Sequence, residues 1–305
     1  MAPRAVILGC AGLTLGPEER RFFAGADPWG FILFGRNVES PEQVARLTAE
    51  LRAAVGRDAP ILIDQEGGRV ARLRAPAWRE WLPALDECAR LPGLDLRVRA
   101  MYLRYRLIAA ELRALGIDVN CAPVLDVARV ETHDVLRNRC YGEDAAEVAA
   151  IGRAVADGLL AGGALPVMKH MPGQGRAALD SHLAPPRVTA SRDELEADFS
   201  PFRALADLPM AMTGHVVYAA LDPDAPATLS ATMVRLMREE IGFGGLLMTD
   251  DVSMRALSGD FTDRVARAVA AGCDIVLHCN GKPEEMAPVV AAAPRLAGRA
   301  LARAE

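Results

Sequence analysis

Eight short apolar runs recur along the 305-residue chain, at residues 5–8, 30–34, 60–63, 118–124, 165–168, 209–212, 245–248 and 274–277. Each is strand-sized, and none alternates with polar residues as a strand wetted on one face would. Between them lie segments with helical periodicity, among them 96–115, 145–160, 195–205, 231–241, 261–271 and 283–304. Ser40-Pro41-Glu42-Gln43 supplies a capping hydroxyl, a Pro suited to the first helical position and a Gln able to close a capping box, and Ser191-Arg192-Asp193-Glu194 repeats that grammar. Strand alternating with helix implies parallel strands joined by right-handed crossovers. Eight strands buried on both faces fit a closed (β/α)8 TIM-type barrel, with an open doubly wound sheet as the alternative.

The residues that follow the runs favour the barrel. Arg36-Asn37 follow the second, Asp64-Gln65-Glu66-Gly67-Gly68-Arg69 the third, Asp126 the fourth, Lys169-His170 the fifth, Thr213-Gly214-His215 the sixth, Thr249-Asp250-Asp251 the seventh and His278-Cys279-Asn280 the eighth. In a barrel all of them converge on the rim where such enzymes place their active sites. No Ser/Pro-rich linker interrupts the pattern, so residues 1–305 read as a single barrel domain. The longest irregular stretch, 74–93, reads as a packed rim loop or irregular helix without an assignable function.

Composition narrows the function classes. A formal charge of −5 argues against a nucleic-acid binder driven by bulk electrostatics. The six cysteines (10, 88, 121, 140, 273 and 279) form neither CxxC pairs nor a compact framework and read as small buried residues in a reducing compartment. Val6-Ile7-Leu8 is a strand-sized run followed soon by Glu18-Glu19, which suits a first core strand better than a signal peptide. With no charge-free apolar stretch of about 18 residues, no membrane span is expected and a cytoplasmic location is the default. The histidines at 133, 170, 182, 215 and 278 lack metal-ligand spacing, so neither a catalytic metal nor another cofactor is expected. His133 is expected to be exposed in a loop, and His215 to bond a neighbouring rim side chain.

The chemistry concentrates in four stretches. Leu165 to Met168 delivers Lys169-His170, a turn Met171-Pro172-Gly173-Gln174-Gly175 follows, and Asp180-Ser181-His182 closes the loop. The seventh run ends in Thr249-Asp250-Asp251-Val252-Ser253-Met254. Asp64 to Arg72 and Asn138-Arg139-Cys140-Tyr141-Gly142-Glu143-Asp144 add carboxylates and guanidiniums. Taken singly, each has a bland reading: an Asp pair caps a helix, an Asp-x-His is a surface turn, and Gly67-Gly68 is only a turn. A strand-tip Lys169 could also serve as a Schiff-base nucleophile, as in barrel aldolases.

In combination the stretches resemble glycoside hydrolase family 3, in its bacterial β-N-acetylglucosaminidase branch, over residues 30–280. Thr-Asp-Asp-x-Ser-Met looks like the family's nucleophile motif, which implies Asp250 as nucleophile and Asp251 as its support or a helix start. Asp180-Ser181-His182 matches the branch's proton shuttle: Asp180 would fix the tautomer of His182, and His182 would trade a proton with the substrate. The resemblance further implies Asp64, Arg72, Arg139, Lys169 and His170 as sugar contacts. One position departs, since Gln174 stands where the family commonly has a second His, and that bears on the loop's positioning and pH profile. The chain's end soon after the eighth unit leads to the expectation of a lone barrel without the sandwich domain that many members append. The implied protein is an exo-acting, retaining β-N-acetylglucosaminidase of peptidoglycan recycling, a monomer. Its partner would be a small saccharide or muropeptide, cleaved between N-acetylglucosamine and 1,6-anhydro-N-acetylmuramic acid. A phosphorylase and a catalytically silent sugar-binding protein are the alternatives.

Overall fold

The computed structural model describes residues 1–179 and 185–305. Eight parallel strands close into a barrel in chain order: β1 (Arg4–Gly9), β2 (Pro28–Leu33), β3 (Ile61–Ile63), β4 (Val119–Asn120), β5 (Leu165–Met171), β6 (Met210–Thr213), β7 (Leu246–Asp251) and β8 (Ile275–His278), with β8 pairing back onto β1. The continuous apolarity of the runs conceals a two-residue period. Ile7, Ile32, Leu62, Val167, Met248 and Leu277 fill the barrel interior, whereas their neighbours Val6, Phe31, Ile61, Met168, Leu247 and Val276 pack outward against the helices. Both faces exclude water, which removes the alternation that a half-wetted sheet would show.

The helical segments lie where their periodicity puts them. Ser40 caps the helix Pro41–Val55 by accepting from the Gln43 N–H, although the Gln43 side chain reaches back to the N–H of Glu39 and not to that of Ser40. Ser191 and Glu194 form the full reciprocal box at the start of Arg192–Ala204. The helix expected over 283–304 is two helices, Pro283–Ala292 and Gly298–Ala304. Pro294 accounts for the break: it disfavours helical geometry at Ala293, which is extended at φ −71° and ψ 125°. The fourth run is a strand only over Val119–Asn120, because Pro123 has no N–H to continue the ladder; an isolated bridge from Val124 to Lys169 carries the pairing on.

Two irregularities shape the rim. Between β5 and β6 the register shifts from Met168↔Ala211 to Met171↔Thr213, and between β7 and β8 from Met248↔Ile275 to Asp251↔Leu277. Each shift gives the longer strand one extra residue, and such a bulge re-aims side chains that would otherwise alternate. Lys169 and His170 therefore both line the cavity at the rim, as do Asp250 and Asp251.

The stretch 74–93 is a packed rim loop that ends in the short helix Ala84–Arg90, with Trp78 and Trp81 against the core. Arg104, buried on the helix Leu94–Ala114, holds it by donating to the carbonyls of Glu66 and Leu82 and pairing with Glu87. Among the described residues no helix is long and apolar enough to cross a membrane.

Candidate active site

The cavity at the C-terminal ends of the strands is lined by Asp64, Arg72, Arg139, Lys169, His170, Gln174, Asp250 and Asp251, over an apolar floor that includes Ile32, Met212 and Leu277. Every described residue singled out from the sequence as catalytic or sugar-binding is thus brought to one place. Asp180 and His182 lie outside the described residues.

Buried charges of both signs build one wall. The Lys169 ammonium, 2% exposed, sits 2.7 Å from Asp64 Oδ1 and 2.6 Å from Glu66 Oε1. Arg139 meets Glu66 fork to fork, with Nε–Oε2 and Nη2–Oε1 both at 2.8 Å. Arg72 donates to Asp64 Oδ2 at 2.9 Å, and its guanidinium stacks over the Phe34 ring. Burial alone would raise the two carboxyls, yet the opposed cations dominate: Lys169 and Arg72 hold Asp64 well below the usual carboxylate range, and Arg139 and Lys169 hold Glu66 at about 2. Burial works against the Lys169 charge, but Asp64 and Glu66 push its pKa upward. Two ion pairs favour the charged form of Lys169 over the free amine that a Schiff-base nucleophile needs. The wall instead offers fixed donors and acceptors suited to hydroxyl groups.

His170 is held from behind. Its Nδ1 lies 2.7 Å from Asp126 Oδ2, and an ionised carboxylate can only accept, so Nδ1 carries the proton. Nε2 is left facing Arg139 at 3.5 Å. Asp126 Oδ1 also accepts from the backbone N–H of Gln174 at 2.8 Å, which ties the following turn to the same carboxylate. Gly175 completes that turn, and a Cβ there would collide with the Val127 carbonyl. Gln174 is 6% exposed, and among the described residues its buried Oε1 has no hydrogen-bond partner.

Asp250 stands opposite, at the tip of β7. Its Oδ1 accepts from the Asp251 N–H at 2.7 Å, and its own N–H points to Thr213 Oγ1 at 3.4 Å. Burial raises its carboxyl, but His215, His170 and the Asp251 N–H together outweigh that and lower it, so the group is a carboxylate at neutral pH. Asp251 is occupied differently. Its Oδ1 accepts from the N–H groups of Ser253 (3.0 Å) and Cys279 (3.2 Å), and its Oδ2 from the Ser253 hydroxyl (2.6 Å). It fixes a turn and the end of β8 and starts no helix, the next helix beginning at Phe261. Among the described residues Asp250 Oδ2 has no hydrogen-bond partner, whereas both oxygens of Asp251 are taken.

His215 bonds the Thr228 hydroxyl at 2.8 Å, a neighbouring rim side chain as expected. His133 is half-buried, not exposed, because its Nδ1 caps the short helix Asp134–Arg137 by accepting from the Val135 N–H. Among the described residues no group of His, Cys, Asp and Glu is arranged to hold a metal ion. Sequence reasoning assigned no role to Glu66 or Asp126, the carboxylates that hold Arg139, Lys169 and His170. A signal existed, since the sugar contacts set three cations (Arg72, Arg139 and Lys169) against one carboxylate, Asp64, and buried charges require partners.

A parallel barrel whose rim sets one ionised strand-tip carboxylate across from a wall of fixed hydroxyl-binding charges defines a barrel hydrolase for polar substrates. The model of the glycosyl hydrolase family 3 N-terminal domain matches residues 24–298. A beta-hexosaminidase of Alkalilimnicola ehrlichii is 39% identical over 293 residues, covering 93% of this chain and 83% of its relative. One from Idiomarina loihiensis is 34% identical, covering 91% and 84%. Among solved structures, NagZ of Neisseria gonorrhoeae in complex with N-trifluoroacetyl-D-glucosamine is similar at a TM-score of 0.90 and 33% identity, covering 99% of this chain and 88% of that one. A family 3 beta-N-acetylglucosaminidase from a Paenibacillus species gives a TM-score of 0.88 and 32% identity, the match covering 98% of this chain and 60% of the longer one. The chain belongs to glycosyl hydrolase family 3 and is a glycoside hydrolase.

Proposed function

We propose that this chain is an exo-acting, retaining β-N-acetylglucosaminidase that releases N-acetylglucosamine from 1,6-anhydro-muropeptides during cytoplasmic peptidoglycan recycling. The observation that carries the reading is the ionised Asp250 carboxylate, which lines one cavity together with Asp64, Arg72, Arg139, Lys169 and His170. The names of the relatives and the sugar derivative bound to the Neisseria protein support the same substrate class.

In this reading the wall grips the hydroxyls of the terminal sugar. Asp250 attacks the anomeric carbon as His182 gives its proton to the leaving oxygen, so the glycosidic bond breaks as the glycosyl ester forms. Asp180 serves to fix the tautomer of His182 and to stabilise the imidazolium. Water, deprotonated by His182, then displaces Asp250 and releases the sugar with its original configuration. The protein acts as a monomer.

The test is turnover of 4-nitrophenyl N-acetyl-β-glucosaminide with and without phosphate. Hydrolysis that is independent of phosphate and lost in Asp250→Asn is the expected result. A sugar-1-phosphate product would instead make the protein a phosphorylase, and no turnover in either buffer would leave a silent sugar-binding protein.

A further inference from the structure

Behind Asp250 lies a set of polar side chains that the proposed chemistry does not use. Thr213 at the end of β6, His215 in the loop after it, and Thr228 in the short turn Ala227–Leu229 are all fully buried. Their hydrogen bonds form one connected set. His215 Nε2 lies 3.0 Å from the Asp251 carbonyl, which can only accept, so Nε2 carries a proton. Thr228 Oγ1 lies 2.8 Å from Nδ1 and 3.1 Å from the Gly214 carbonyl. Thr213 Oγ1 is 2.7 Å from Thr228 Oγ1. The Thr213 oxygen accepts from the Asp250 N–H at 3.4 Å. A hydrogen-bonded chain therefore starts on the backbone of Asp250, passes through both hydroxyls and the imidazole, and ends on the carbonyl of Asp251.

The chain closes at an interruption of the sheet. The register shift between β7 and β8 that brings Asp250 and Asp251 to the cavity also interrupts the ladder, and the Leu277 N–H turns to the Thr249 hydroxyl at 2.9 Å. A bulge leaves its strand short of partners and free to bend. The hydroxyl–imidazole chain supplies bonds to the two residues on that strand whose aim matters.

We propose that Thr213, Thr228 and His215 are positioning residues that hold the Asp250 carboxylate on its line of attack. The proposal rests on the reading of Asp250 as nucleophile. None of Asp64, Arg72, Arg139, Lys169 and His170 hydrogen-bonds to the three, so disturbing them alters the aim of the attack and leaves the grip on the sugar intact.

The experiment compares wild type, Thr228→Val, which keeps shape and removes the hydroxyl, and Thr228→Ser, which keeps the hydroxyl. Each is inactivated with a 2-fluoro analogue of the N-acetylglucosaminide substrate, the labelled peptide is identified, and thermal unfolding is recorded alongside. The expected result is a label on Asp250 in all three proteins. Thr228→Val should show a maximal inactivation rate about 10- to 100-fold lower at unchanged inactivator affinity, the scale for a misplaced reacting group. Thr228→Ser should stay within about threefold of wild type, a small part of that loss. An unaltered Thr228→Val rate, or an equal loss in Thr228→Ser, overturns the proposal. A wild-type label on another residue overturns instead the assignment of Asp250. Should Thr228→Val not fold, Thr213→Val and His215→Gln cut the chain elsewhere, and wild-type rates in both overturn the proposal equally.

Discussion

Glu66→Gln removes one charge from the most tightly paired part of the rim and little else. The carboxylate is 3% exposed, takes the Arg139 fork at two points and lies 2.6 Å from the Lys169 ammonium. Glutamine keeps the shape but turns one acceptor into an NH₂ group facing donors, leaving Lys169 with Asp64 and Arg139 without an ionic partner for its fork. Two routes give the size of the effect. Glu66 is held at about 2, against about 4.3 for a free glutamate, a difference worth about 3 kcal/mol at 1.36 kcal/mol per pH unit. Breaking a buried pair by removing one partner costs about 3–5 kcal/mol. With an unfolding entropy of about 2.1 cal/mol/K for each of 305 residues, 3 kcal/mol lowers Tm by about 5 °C. The pH dependence has a definite sign. A depressed carboxyl stabilises fully above the unfolded value of about 4.3 and loses that contribution as the pH falls through the folded value. The Tm difference between wild type and Glu66→Gln, measured by differential scanning calorimetry, should be constant from pH 7 to about 5, shrink below about 4 and vanish near 2. A variant within about 1 °C of wild type at pH 7, or a gap that widens in acid, would refute the reasoning.

Other outcomes follow from the same geometry. His182→Ala should lower kcat on a disaccharide about 10²- to 10⁴-fold, the usual contribution of a proton-transfer group, with KM little changed; lost affinity at full rate would contradict the separation of proton shuttle from sugar grip. Because the Asp250 carboxyl is lowered from its ordinary value, the acid limb of kcat/KM due to this group should fall below pH about 3.9, and a wild-type midpoint above about 5 that persists in His170 and His215 variants would contradict it. The six cysteines are buried, and burial pushes Cys88 up to about 11 and Cys10 and Cys273 up to about 12. Ellman's reagent should therefore titrate six thiols only after denaturation, and rapid reaction of the native protein would show that a site is open.

The barrel was legible because most strands are apolar runs and several helices carry their own punctuation. Ser191 with Glu194 closes a box that can be read from four residues, and the residues after the runs converge on the rim because parallel strands allow no other arrangement. What could not be read depends on partners distant in sequence. The bulges that bring Lys169 beside His170 and Asp250 beside Asp251 arise from register against neighbouring strands. Glu66 meets Arg139 across 73 positions and Asp126 meets His170 across 44, so no local pattern announces either pair. Arg104 reads as an ordinary helix-surface charge, yet it is 2% exposed because the 74–93 loop folds over it. The small parallel pairing of Arg187–Val188 with Val217–Tyr218 is likewise visible only in three dimensions. The break in the C-terminal helix, by contrast, could have been read from Pro294.

The central claim is that Asp250, and no other rim carboxylate, bonds to the sugar. Its most direct test is to trap the wild-type enzyme with a 2-fluoro-substituted N-acetylglucosaminide, digest it and map the adduct by mass spectrometry. The account predicts one sugar per chain, on the peptide containing Asp250 and on that residue. An adduct on Asp251 or Asp64, or turnover with inversion and no adduct, would contradict it.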